Sequence, residues 1–286
     1  MKFRTEIERT KAPFAIEHDT PLLFLGSCFS DEIGSRLADD GFKVLHNPMG
    51  PLYNPASVAA CLDRVCSGSL YTTQELANGP RGFHCLDYCT RYSGADAAAV
   101  LDAVNGDIAG ISEFVALSPL VFITLGSAYV YRIAATGRVA GNCHKFPADC
   151  FSRELLTVEQ AADALHSAVQ LLSIRGVNHI VFTVSPIRHL ADGLHGNNIS
   201  KATLLLAIDS VVERYPGLCS YFPSYEIVLD DLRDYRFYAS DLKHPSPMAV
   251  DYIYEFFSDY YFSSKTRQAA AEGRKLTLAA RHRSIL

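Results

Sequence analysis

Several features are missing from this 286-residue chain, and each absence narrows what it can be. There is no apolar run of membrane-spanning length. The longest, Leu22–Leu25 and Val121–Leu125, have the length of a strand, so no membrane association is expected. There is no excess of base: 26 Lys and Arg against 31 Asp and Glu give a net charge of −5, which argues against nucleic acid as a partner. There is no regular cysteine framework. The cysteines at 28, 61, 66, 85, 89, 143, 150 and 219 are scattered, as reduced and mostly buried thiols would be. Residues 1–20 lack the apolar core of a secretory leader, being interrupted by Glu6, Glu8, Arg9, Lys11 and Glu17. A cytoplasmic location is the expectation. No glycines fall in the spacing of a phosphate loop or a dinucleotide fingerprint after a strand, so no cofactor is expected. His84, Cys85 and Cys89 are close together without a matching second pair, short of a zinc pattern, and no metal is expected.

What is present is the composition of a soluble globular chain, 49% apolar and 20% charged. Short apolar runs alternate with helical periodicity, which predicts a three-layer, doubly wound α/β fold on a mostly parallel sheet. Strands are expected at Pro21–Leu25, Phe42–Leu45, Pro119–Leu125, His179–Val184 and Tyr225–Leu229. Helices are expected at Asp31–Asp40 with Ser30 as cap, Pro55–Val65 capped by Asn54, Thr157–Arg175, Ser200–Tyr215 and Pro247–Phe257. Ala95–Leu117 reads as helical with a break near Gly106–Gly110, and 66–95 as an inserted loop region. Residues 1–262 form one expected domain. Residues 263–286 form a basic helical tail carrying Lys265, Arg267, Arg274, Lys275, Arg281 and Arg283 against Glu272, expected to be solvated.

Three apolar strands end in small polar residues: Gly26-Ser27-Cys28, Gly126-Ser127 and Ser185-Pro186. Ligands of open α/β sheets collect at such carboxyl ends, and the first tip also opens a helix, whose N–H groups favour a developing oxyanion. A second constellation is Asp241-Leu242-Lys243-His244-Pro245. A carboxylate three residues before a histidine can fold back onto Nδ1–H and leave Nε2 for a nucleophile, or it can be a surface turn.

On these residues the chain resembles the SGNH (GDSL-like) hydrolase superfamily and, more closely, the GSCFA family. Gly26-Ser27-Cys28-Phe29-Ser30 stands where the superfamily has Gly-Asp-Ser-Leu. Asn47-Pro48-Met49-Gly50 is similar to its second block, and Asp241-Leu242-Lys243-His244-Pro245 to its last. Gly141-Asn142-Cys143-His144-Lys145 is similar to a GSCFA signature. The resemblance implies a Cys28 or Ser27 nucleophile, His244 as base and Asp241 as its orienting carboxylate. It also implies an oxyanion or substrate set of Gly50, Asn142, Ser127 and His144. A gapless match puts Cys28 in the nucleophile position and Ser27 where the superfamily has Asp, and Ala128 replaces the third-block Asn.

Cys28 is the better intrinsic nucleophile, yet Asp31 and Glu32 lie within a helical turn of it. Ser27 needs no thiolate but requires a one-residue shift of the turn. Both stay in play. Arg188 and His189, just after Ser185-Pro186, read either as binders of an anionic substrate group or as a surface cap. Ser200-Lys201 reads as a helix cap rather than a Ser-Lys pair. The expected function is hydrolysis of an acyl ester, on a carbohydrate or another small polar ester. A thioester-dependent acyltransferase and a non-catalytic carbohydrate- or partner-binding module are the alternatives. Specificity is expected in loops 66–95 and 127–157.

Overall fold

The computed structural model describes residues 4–79 and 82–283. In chain order, β1 (Leu22–Gly26) leads into α1 (Cys28–Asp39), β2 (Val44–His46) and α2 (Pro55–Ser67). A small sheet of β3 (Ala77–Gly79), β4 (Gly82–His84) and β5 (Ser93–Gly94) precedes α3 (Ala97–Val115) and β6 (Leu120–Leu125). A second, β7 (Tyr129–Ile133), β8 (Val139–Ala140) and β9 (Phe151–Leu155), is followed by α4 (Val158–Ile174), β10 (Ile180–Val184), α5 (Gly193–Arg214) and β11 (Cys219–Tyr221). One turn, α6 (Ser224–Glu226), runs into a π-helix at Ile227–Leu232, and α7 (Pro247–Tyr261) and α8 (Ser264–Arg283) follow.

The central sheet has the order β2-β1-β6-β10-β11, with every pairing parallel. Numbered within that sheet alone, this is 2-1-3-4-5, a doubly wound order whose direction of winding reverses between β1 and β6. β1, β6 and β10 are buried along their whole length, as apolar runs covered on both faces should be. Alternation sends Leu23, Leu25, Val121, Ile123 and Phe182 into a core shared with α2, α3, α4 and α5. Their neighbours Leu22, Phe24, Phe122 and Val181 face the core under α1 and α7, where Phe24 stacks on Phe122 at 4.5 Å. These are the three layers. Among the described residues, no helix is long and apolar enough to cross a membrane.

Several expected boundaries move. α1 begins at Cys28, not Asp31, and its cap is Ser27, not Ser30. Gly26 makes the whole turn by itself: its φ of +129° and the 2.0 Å that would separate a Cβ from Thr124 O admit only glycine there. α3 passes through Gly106 and Gly110 without a break, both facing open space. α5 starts seven residues before Ser200, at Gly193, so Ser200 lies inside the helix and caps nothing. The run Tyr225–Leu229 is helical, and the edge strand is Cys219–Tyr221, after Gly217. A short apolar run does not distinguish the two by periodicity.

The basic tail forms the expected helix, but it is docked rather than solvated along its length. Thr266 and Ala270 are buried, Thr266 Oγ1 donates to Ile16 O, and Gly273 lies against the Asp40 carbonyl. Arg274 pairs with Asp40 and Arg281 with Asp39. The side chain of Arg283 and residues 284–286 lie outside the described residues.

Candidate active site

The β1–α1 turn is clamped from the side by Asn47. This residue is buried at φ +37°; its Oδ1 accepts from Gly26 N at 2.9 Å, and its Nδ2 donates to Ser27 O at 3.1 Å and Asp31 Oδ2 at 2.9 Å. Asp31 Oδ1 meets His46 Nδ1 at 2.8 Å, and Glu32 pairs with Arg36, so both acids near the start of α1 have partners of their own. The two candidate nucleophiles then separate. Ser27 is fully buried and its Oγ accepts from Phe29 N at 3.3 Å, as a helix cap. Cys28 is half-buried at the first helical position, where its own N–H has no intrahelical acceptor, and its side chain opens onto a cleft.

That cleft, of about 530 Å³, sits at the β1/β6 reversal. Cys28 and Ser127 line its floor, with Tyr53 beside them. Tyr129, Tyr131 and Arg153, from β7 and β9, form one wall together with Asn142; His189 and Asp192 form another; Lys243 and His244 complete the rim. Thus the 127–157 insertion shapes the cleft, whereas the described residues of 66–95 do not line it.

At the rim, His244 Nδ1 meets Asp241 Oδ2 at 2.5 Å, while Asp241 Oδ1 accepts from the N–H groups of Lys243 (2.9 Å) and His244 (3.0 Å). The Lys243 N–H bond, and then the His244 bonds, hold the Asp241 carboxyl well below the usual carboxylate range. With that carboxylate ionised, the imidazole proton belongs on Nδ1 and Nε2 is left as an acceptor. The pair is exposed, and Leu242 at φ +56° closes its turn.

Three members of the expected oxyanion or substrate set are engaged otherwise. Gly50 does not line the cleft: its N–H donates to Asn47 O at 2.8 Å, closing a turn packed on Cys89. The His144 ring is buried and also outside the cleft, with Nε2 2.8 Å from Tyr88 O and Nδ1 3.2 Å from His84 Nδ1; it ties the insertions together. Ser127 lines the floor, but its N–H donates to Tyr53 O and its Oγ accepts from Tyr129 N and meets Ser200 Oγ. Asn142 does face the cleft. Its Oδ1 is held by His144 N, which leaves Nδ2 as the end turned to a ligand.

Other side chains around this floor went unrecognised in the sequence or were misassigned. Tyr53 Oη lies 3.1 Å from Cys28 Sγ, and burial together with that thiol pushes the phenol above its usual value. Lys201 is completely buried, its Nζ donating to Gly126 O (2.6 Å) and Ser185 O (2.7 Å), the tips of β6 and β10; burial pushes it down to about 7. Ser200 Oγ accepts from Ala128 N at 2.7 Å, so Ser200 and Lys201 brace the same loop. A signal for Lys201 was present: 197, 201, 204, 208 and 211 form the buried stripe of α5, and a lysine on an apolar stripe is anomalous. His189 is driven down to about 4, first by burial and then by Lys201. Its Nε2 is buried with no hydrogen-bond partner among the described residues, over the corner where Gly126, Ser27 and Tyr53 meet.

Comparison with curated proteins finds no match. The GSCFA family model matches residues 21–257, from the start of β1 to within α7, and so takes in the Cys28 turn, Asn142 and the Asp241–His244 pair. The chain belongs to the GSCFA family.

Proposed function

We propose that this cleft performs acyl transfer from an ester, in the manner of SGNH-type hydrolases, with Cys28 as the nucleophile. The observation that carries this reading is that a half-buried thiol at a helix start and a histidine held by a carboxylate open onto one cleft at the sheet's reversal. In the reaction, Cys28 Sγ attacks the carbonyl carbon as His244 Nε2 takes the thiol proton, and Asp241 steadies the imidazolium. The tetrahedral oxyanion takes hydrogen bonds from the free Cys28 N–H and from Asn142 Nδ2. Collapse expels the alkoxide, which receives the proton from His244, and leaves an acyl-thioester. Water, activated by the same imidazole, then releases the acid.

A thiol nucleophile also favours a second reading. Acyl exchange between a donor thioester and Cys28 is nearly isoenergetic, so a hydroxyl acceptor in place of water would make the chain an O-acyltransferase.

The test is incubation of the chain with 4-nitrophenyl acetate and with a thiol-directed acyl probe, followed by peptide mass mapping. Acylation is expected on Cys28, absent in Cys28→Ala, and slowed about 10²-fold or more in His244→Ala, the usual contribution of a general base. Label on Ser27, or no acyl-enzyme and no turnover, would sink the reading, and the latter would leave a binding module.

A further inference from the structure

The chain as a whole is acidic, with a net charge of −5, yet the cleft carries the opposite sign. Its charged residues sort into pairs and remainders. Arg153 and Asp192 form a bidentate ion pair, with the guanidinium also stacked 4.1 Å over Tyr129, so neither charge is left for a ligand. Asp241 is engaged by His244 and by two backbone N–H groups. Asp31, near the nucleophile turn, is held by Asn47 and His46. Arg188 and Lys243 remain. Both line the cleft, and neither has an ion pair with any carboxylate among the described residues.

The loops that carry these two cations are also joined to each other. Arg188 N donates to Lys243 O at 3.1 Å, joining the loop after β10 to the loop that carries His244. The Arg188 guanidinium lies 4.1 Å over the Tyr238 ring and 5.3 Å from Tyr235, which braces its plane. A braced guanidinium presents its fork to a planar or tetrahedral oxyanion at little further entropic cost. Adjacent uncompensated cations at a cleft focus the field on an incoming anion.

We propose that the substrate of this site carries an anionic group, a carboxylate or a phosphate, seated between Arg188 and Lys243 beside His244. The proposal rests on the acyl-transfer reading for what the substrate does, and on the charge arrangement alone for what it is. A neutral acyl sugar would leave both cations unanswered. An acidic sugar ester, or a donor with a phosphate in its leaving group, answers them while its carbonyl reaches Cys28.

The test uses the full chain with two thiol reagents of similar size, iodoacetate and iodoacetamide, at low ionic strength. Labelling at Cys28 and at the partly exposed reference Cys150 is counted from the same digest. The iodoacetate preference at Cys28, relative to Cys150, is expected to be about threefold or more, the scale set by two charges lining the same cleft as the thiol. It should fall to about one in the Arg188→Gln/Lys243→Gln variant and in high salt. Inorganic phosphate and glutarate are added separately as competitors of Cys28 labelling, and the one that protects at lower concentration names the head group. A preference of one in the native chain, a preference unmoved in the variant, or protection by neither anion overturns the proposal. A chain that shows the preference but turns over neither a neutral nor an anionic 4-nitrophenyl ester keeps the anion site and loses the acyl-transfer reading.

Discussion

Cys28 Sγ and Tyr53 Oη lie 3.1 Å apart, and Tyr53 is anchored from its other end, its carbonyl accepting from both Gly126 N and Ser127 N. Tyr53 is thus tied to the tip of β6 through its backbone while its phenol attends the thiol at the tip of β1. Because the phenol resists ionisation, it is a donor to a developing thiolate. Tyr53→Phe keeps the backbone links and removes only that donor. Cys28 alkylation at neutral pH is expected to slow by up to about tenfold, the kinetic equivalent of one charge-assisted hydrogen bond, with melting temperature nearly unchanged. An alkylation rate equal to that of the native chain would remove the phenol from the thiol's chemistry.

Ser27 and Cys28 are adjacent, yet their alanine variants should fail differently. Ser27→Ala loses a buried cap and is expected to cost about 1 kcal/mol in chemical denaturation while retaining ester turnover. Cys28→Ala should retain the stability and lose the turnover. The reverse pattern would hand the nucleophile's role to the serine.

His189 supplies a pH signature. Its folded value of about 4 lies below the ordinary 6.5, so between these the unfolded chain holds the extra proton. Stability therefore falls as pH drops through that window, by up to about 3 kcal/mol. In His189→Gln this component should vanish, so that unfolding free energies of the two proteins, measured from pH 7 to pH 4, converge or cross. Parallel curves would mean that the native imidazole titrates normally.

Lys201 acts with the same sign in an alkaline window. Burial moves it from the ordinary 10.5 to about 7, so the unfolded chain binds the extra proton between those values and stability rises with pH across them. Lys201→Met should flatten that rise. It should also slow turnover, since the Gly126 and Ser185 carbonyls lose their donor and the loop bearing Ser127 loses a brace. A methionine variant with the native pH profile would show that the ammonium carries no such penalty.

The layered architecture was legible because β1, β6 and β10 are apolar on both faces, a pattern few other environments tolerate. The Asp241–His244 bond was legible because it is local, spanning three residues. Legibility ended where contacts span long separations. Nothing near Tyr53 in the sequence announces a partner 25 residues away, and Asn47 clamps a turn 21 residues before it. The place of Gly50 away from the cleft was hidden for a related reason: the motif locates a turn, but where its N–H groups point depends on a closing bond to Asn47 O that residue order does not encode. The contacts of His144 were hidden likewise, since its partner His84 lies in another insertion.

One end of α1 presents the thiol, and its other end carries Asp39 and Asp40, where the partial negative charge of the helix already accumulates. Left alone, those acids would favour fraying backwards from the last turn. Arg274 and Arg281 of α8 neutralise them, and Gly273 lets the two backbones touch there. The final helix is therefore a splint for the rod that aims Cys28, and the geometry of the thiol depends on residues more than two hundred positions downstream of it.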